Sequence, residues 1–249
     1  MTICIQESTD HMSIEDSIKA FEKTNKNCVI AYGGDGTLLE VARANEFKKA
    51  VFPIRNYGLC DEHAQLFDEL LGKAKICREF KQTIHPLLEV RFNGKSDVAV
   101  AEVTVKNKDI TSCMRFDVIV NDKLYMENVI CDGVIFATSL GSHGYFKSVT
   151  RTIFKGYDTI GIGFIAPTYS INNLVLELTD KISIRARRDT NIIITADKNI
   201  HTDSFFKVDD EITITNYAQQ NLSLFGYDIF CCPNCRKNRN STTINDQYL

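Results

Sequence analysis

The first residues able to do chemistry are Gly33-Gly34-Asp35-Gly36-Thr37. They follow the apolar run from Cys28 to Tyr32 and precede Leu38, Leu39, Val41 and Ala42, which suit the inner face of a helix. A glycine-rich turn between a buried strand and a helix leaves backbone N–H groups facing outward. Phosphate oxygens can then approach the chain with no Cβ in the way. Asp35 becomes an ionised carboxylate among phosphate donors, suited to partner Mg²⁺ or to accept the proton of an attacking hydroxyl. A tight turn whose aspartate caps the helix is the plainer reading of the same five residues.

Other polar groups compete for a role. Lys147, Arg151 and Lys155 recur at i, i+4 and i+8, which on a helix would place three cations on one face, either holding donor phosphates or solvated. Arg185 and Arg187 would share a strand face, first as an exposed ladder and second as phosphate contacts. Asp197 reads first as a turn residue and second as a ligand. His11, His63, His85 and His201 lack metal-like spacing. Cys231-Cys232-Pro233-Asn234-Cys235 holds a CxxC, but no second Cys/His pair stands at a spacing that would complete a zinc site.

Two segments together resemble the NAD kinase family. Gly33 to Thr37 followed by Leu38-Leu39-Glu40-Val41-Ala42-Arg43 is similar to the family's GGDGTLL.AAR; the pentad also marks diacylglycerol and sphingosine kinases and, more loosely, phosphofructokinases. The segment from Asp132 to Tyr145, DGVIFATSLGSHGY, separates these possibilities. It is similar to the family's DG(hydrophobic)₃-S-TPTGSTAY and matches without a gap at Asp132-Gly133, Thr138, Gly141-Ser142 and Tyr145. Lipid kinases lack this segment, and this chain lacks their GT.ND motif.

The resemblance implies a Mg²⁺-dependent kinase that uses ATP or polyphosphate to phosphorylate the adenosine 2′-hydroxyl of NAD(H), giving NADP. Asp35 would engage that hydroxyl and the metal-bound phosphate, with Gly33, Gly34, Gly36 and Thr37 as the phosphate-binding turn. Glu102 would grip ribose hydroxyls, Asp132 would accept from the nicotinamide carboxamide, and Tyr145 would pack its ring on the dinucleotide. Ser142, Lys147 and Arg151 join this binding set. A homo-dimer or tetramer is implied as well.

Departures from the pattern bear on the acceptor. Ala101 and Leu140 stand where the family has polar contacts to the adenine edge, each worth about 0.5–1.5 kcal/mol, and His143 is a candidate replacement donor. The SAGGP segment has no counterpart after Ser148, where Val149-Thr150-Arg151 stands. Two further readings follow: a GGDGT kinase with another nucleotide, a sugar or a lipid alcohol as acceptor, and a non-catalytic dinucleotide-binding sensor.

Positioning these residues requires two kinds of structure. Ser13 and Asp16 resemble a capping box before Ile14, Ile18 and Phe21. Val51 to Ile54 reads as a buried strand and Asp61 to Lys75 as an amphipathic helix. Residues 1–82 thus form an α/β, Rossmann-like domain, to which the tail 226–249 is a candidate to return. From 83 to 225 the pattern is β-rich and sandwich-like. Its runs are Leu88 to Phe92 before the hairpin signal Asn93-Gly94, Val98 to Val105, Phe116 to Val120 before Asn121-Asp122, Val134 to Ala137, Asn173 to Leu178, Ile182 to Ile184, Ile192 to Ile194 and Ile212 to Ile214. The two are expected to pack together with the site between them.

Composition narrows the partners. A net charge of −3 over 249 residues gives no electrostatic footprint for nucleic acid. No apolar run nears the ~18 residues of a membrane helix, and the amino terminus lacks a signal peptide's basic region, so cytoplasm is expected. The nine cysteines, mostly in apolar runs, read as reduced small hydrophobes.

Overall fold

The computed structural model describes residues 18–19, 22–23, 26–54 and 82–225. The expected helix from Asp61 to Lys75 and the CxxC lie outside them. The first expected helix meets them only at 18–19 and 22–23, which are helical. The chain divides into two compact units, the smaller containing described residues 18–19, 22–23, 26–41, 48–54, 82–83 and 223–225, the larger 42–47 and 84–222.

The smaller unit is built on parallel strands. Strand β1 (Cys28–Tyr32) pairs with β2 (Ala50–Ile54) from Cys28↔Ala50 to Tyr32↔Ile54. Helix α1 (Asp35–Ala44) occupies the connection, as parallel neighbours require a crossover. Strand β16 (Leu222–Phe225) lies parallel on the other side of β2, and β3 (Gln82–His85) completes the order β1-β2-β16-β3. Cys28, Ile30, Ala31, Val51, Phe52 and Leu224 are buried, consistent with their continuous apolar runs. The Gln82 amide donates to the Ser223 hydroxyl, tying β3 to β16.

Two six-stranded sheets form the larger unit. One has the order β5 (Lys95–Ala99), β4 (Leu88–Phe92), β15 (Glu211–Asn216), β12 (Ile182–Ala186), β7 (Met114–Val120), β8 (Lys123–Cys131). The other runs β11 (Leu174–Glu177), β10 (Thr159–Ile165), β9 (Gly133–Ala137), β6 (Glu102–Asn107), β13 (Thr190–Ala196), β14 (Asn199–Phe206). Period-2 alternation sends Phe116, Val118, Ile182, Ile184, Ile212 and Ile214 of the first sheet into one core with Val103, Val105, Val134, Phe136, Ile192 and Ile194 of the second. The opposite face of β9 is buried too. Ile135 and Ala137 pack on Phe146 of the short helix α2 (Tyr145–Thr150). Gly161 of β10 makes room for that helix, since a Cβ there would fall 2.7 Å from the Phe146 ring.

The hairpin signal at Asn93-Gly94 takes the expected form, and Asn121-Asp122 makes a turn of the same kind between β7 and β8. Asn93 and Gly94 have φ of 49° and 72°, and Asn121 and Asp122 50° and 62°, the left-handed pairs of a type I′ turn. One expected strand is corrected: the run from Val98 to Val105 is broken at Val100-Ala101, and its halves, β5 and β6, belong to different sheets. The carboxylate of Asp197 accepts the N–H groups of Val100 (2.7 Å), Ala101 (2.8 Å) and Glu102 (3.1 Å), which takes these amides out of any ladder. Strands β3, β8, β10, β14 and β16 were not foreseen. Glycines interrupt β10, polar residues interrupt β14, and β8 is a largely exposed edge. No helix among the described residues is long and apolar enough to cross a membrane.

Candidate functional site

In the smaller unit the sequence places Asp35 at the first position of α1, exposed, directly after the β1 turn. The Gly34 carbonyl accepts the N–H groups of Thr37 (3.1 Å) and Leu38 (3.2 Å), closing the first helical turn. Gly33 is required for space: a Cβ there would fall 2.3 Å from Thr37 Oγ1. The turn therefore packs its threonine against a glycine and presents its acid at the positive end of a ten-residue helix. A carboxylate here is open to solvent, which suits contact with a hydroxyl or a cation.

In the larger unit the structure brings four groups together around the start of β6. Lys106 Nζ lies 4.5 Å from the centre of the Tyr145 ring, a cation–π contact that orients the ring. Glu102 sits two strand positions before Thr104 and four before Lys106, so the alternation of β6 turns all three to one face. Burial pushes the Glu102 carboxyl up to about 7; nearby Asp197 adds to this, and the N–H groups of Phe146 and Tyr145 and the charge of Lys106 oppose it. Its Oε2 is buried with no hydrogen-bond partner among the described residues. An acid so placed has capacity left for a ligand hydroxyl.

The segment linking β9 to α2 is held by its own polar atoms. Thr138 Oγ1 donates to the Val100 carbonyl (2.9 Å) and accepts from the Gly141 N–H (3.2 Å). The Ser142 hydroxyl meets the carbonyls of Ser139 (2.8 Å) and Phe154 (3.0 Å), and the Phe154 N–H donates to it (3.3 Å). Ser142 is thus an internal brace. A Cβ at Gly141 would fall 2.0 Å from the Ala101 carbonyl oxygen, so two loops touch backbone to backbone there.

The remaining predicted residues are dispersed. His143 is exposed, and Asp132 is exposed between β8 and β9 with the Cys113 thiol 3.5 Å from its Oδ1. The three-cation helix face is corrected. Helix α2 ends at Thr150, Arg151 caps it with φ of 60°, and Lys155 lies beyond it, so Lys147, Arg151 and Lys155 share no helical face. Arg185 pairs with Glu211 (2.6 Å), while Arg187 pairs with Asp117 (2.6 Å) and Glu127 (2.7 Å); these guanidinium groups serve ion pairs within the larger unit.

Sequence reasoning missed Lys106, although its period-2 relation to Glu102 was visible. It also missed Arg43. Within the larger unit Arg43 donates to Asp97 Oδ1 (2.7 Å), to the carbonyl oxygens of Val98 and Ala196 (3.2 Å for the latter), and lies 3.8 Å from Asp197 Oδ2. Burial pushes the Asp197 carboxyl up, against the three amides and Arg43 that hold it down. Asp197 and Arg43 therefore fix the backbone from which Glu102 projects.

No family model matches the chain. It is 28% identical to the NAD kinase of Streptococcus gordonii over 200 residues, spanning 72% of this chain and 70% of that protein. Among solved structures it resembles an NAD kinase from Archaeoglobus fulgidus in complex with ATP, with a TM-score of 0.67 and 21% identity over 90% of this chain and 93% of that one. It also resembles the yeast NADH kinase complexed with NADH, with a TM-score of 0.66 and 19% identity over 80% of this chain and 62% of that one.

Proposed function

The chain is a member of the NAD kinase family, and from that premise we propose that it transfers the terminal phosphoryl group of ATP to the adenosine 2′-hydroxyl of NAD, forming NADP. The observation that carries this reading is the exposed Asp35 at the head of α1, in a turn whose glycine admits no side chain. In the transfer, a bond forms between the 2′-oxygen and the γ-phosphorus while the bond from that phosphorus to the ADP oxygen breaks. The hydroxyl proton passes to the Asp35 carboxylate and then to water. Phosphoryl transfer asks mainly for alignment and charge neutralisation, so one well-placed acid is enough.

The other residues would then bind and orient. Glu102 would take ribose hydroxyls on its unpartnered oxygen, Tyr145 would offer its ring to the dinucleotide, and Asp132 would accept from the carboxamide. Lys147 and Arg151, both exposed, would meet phosphate, and the exposed His143 would face the base. Gly33, Gly34, Gly36 and Thr37 would form the phosphate turn, and Ser142 would keep the segment before Tyr145 in shape. Among the described residues no three His, Cys, Asp or Glu side chains are grouped to hold a metal. Mg²⁺ in such reactions is bound through one or two carboxylates plus substrate phosphates, a mode the Asp35 carboxylate fits. When bound, the ion neutralises charge on the transferred phosphate.

A homo-oligomer, dimer or tetramer, and a cytoplasmic location belong to the same proposal and rest on the family resemblance. The relatives favour neither a changed acceptor nor a non-catalytic sensor. Incubating the purified chain with Mg²⁺, ATP and NAD and identifying the product by mass tests the reading: NADP is expected, and its absence under conditions where the chain is folded overturns it.

A further inference from the structure

We propose that the larger unit carries a binding site for a monocyclic carboxylate, separate from the phosphoryl-transfer residues, where β4 and β5 face β13 and β14. A cavity of about 210 Å³ opens there, floored by Val90, Phe92 and Ile194. None of the residues assigned above to the kinase reaction lines it. Phe206 packs edge-on behind Phe92, with ring centres 6.0 Å apart, which makes the floor rigid. An apolar cavity of about 150 Å³ is known to accept benzene, so this one has room for a ring and a small polar group.

The polar groups at its mouth decide what that group is. Asp97, the acid lining the cavity, is already saturated. Its Oδ1 accepts from Arg43 Nη1 (2.7 Å) and the Val98 N–H (2.7 Å), and its Oδ2 from Asn199 (3.3 Å) and His201 Nε2 (2.8 Å). What remains among the described lining residues is one cation, the exposed Lys95 ammonium, and the hydroxyls of Ser96 and Ser204, which can donate. His201 keeps Nδ1, which donates when the ring is protonated. Lys95 and Ser96 also line a wider groove over the β4–β5 hairpin, whose acids Glu89 and Glu211 are paired with Arg91 (2.8 Å) and Arg185 (2.6 Å), so Lys95 and Ser96 stand at the entrance and the apolar residues at the bottom. An apolar floor with donors around its mouth selects an aromatic ring bearing an anion over one bearing a cation.

The site is independent of the proposed kinase activity, and the test treats the two separately. Fluorine NMR of 4-fluorobenzoate titrated with the full chain, in the presence of excess NAD and ATP, reads binding at this cavity alone. A saturable shift is expected, with 4-fluorobenzylamine at least about tenfold weaker. Lys95→Met should weaken 4-fluorobenzoate by about tenfold, the loss of one charge-assisted contact. Ser204→Leu should fill the cavity and abolish binding. Lys95 is exposed, so its variant keeps the fold, which a thermal melt verifies. Equal binding of the amine, binding untouched by both substitutions, or no saturable binding each overturns the proposal.

Discussion

The turn after β1 and the segment from Thr138 to Tyr145 are both small-residue links between a strand and a helix, yet they use their polar side chains in opposite ways. At Gly33 to Thr37 the chain packs inward with a glycine and a threonine and leaves its acid exposed at the head of α1. From Thr138 to Ser142 the hydroxyls turn inward and are occupied by backbone atoms of Val100, Ser139 and Phe154. Residues that match the family's two motifs thus divide into an acid left exposed and hydroxyls that keep a loop in shape. A resemblance cannot separate these roles; hydrogen-bond partners can.

That contrast can be broken by substitution, and the largest effect is expected at the turn. Asp35→Asn should lower kcat by about 10²–10⁴-fold, the range for losing a positioned acid or base. The Kd for NAD, read by calorimetry, should move far less, and equal losses in both would reduce Asp35 to a pocket-shaping residue. Next comes Gly141→Ala. Its methyl would lie 2.0 Å from the Ala101 carbonyl oxygen, and such overpacking costs about 1–3 kcal/mol, seen as a lowered denaturation midpoint.

Ser142→Ala should be smaller still. It strands the Phe154 N–H in a partly buried site, at the low end of the range of about 1–3 kcal/mol for a lost buried partner, with kcat retained by the molecules that remain folded. A fall in kcat without loss of stability would move Ser142 to the ligand-facing side of the contrast.

A pH dependence sharpens the picture at Glu102. Its carboxyl titrates near 7 in the folded chain against an ordinary 4.5, because burial disfavours the charge. The native state therefore holds the proton more tightly. Its contribution to stability is complete below the ordinary value and disappears as pH rises through about 7. Thermal melts from pH 4 to 8 should show this decline in the parent chain, and Glu102→Gln should flatten it. Bound NAD should flatten it as well if the unpartnered Oε2 meets a ribose hydroxyl.

Much of this organisation was legible beforehand, for definable reasons. The β1 turn and α1 were readable because an apolar run, glycines and a helical period succeed one another without interruption. The hairpin at Asn93-Gly94 was readable because left-handed φ values restrict residue choice. The break between β5 and β6 was not, since it depends on Asp197, some 95 residues downstream, capturing three amides. The same holds for the candidate site. Asp35 and Glu102 stood out by motif, whereas the Lys106 contact with Tyr145 and the Arg43 anchorage depend on tertiary neighbours that no local pattern encodes. The end of α2 at Thr150 escaped notice because Arg151 adopts a left-handed conformation usually reserved for glycine or asparagine.

The order β1-β2-β16-β3 carries a consequence for how the protein is made. Residues 222–225 supply the strand that separates β2 from β3. Between β3 and β16 the ribosome must synthesise the whole β-sandwich, on the order of ten seconds at typical elongation rates. Until then, among the described strands, β2 lacks its second neighbour and β3 has none. The amino-terminal part of the nascent chain must wait in a sticky, half-built state, which makes it a natural client for chaperones. A nonsense mutation shortly before codon 222 would spare every candidate site residue and still leave the first sheet unfinished.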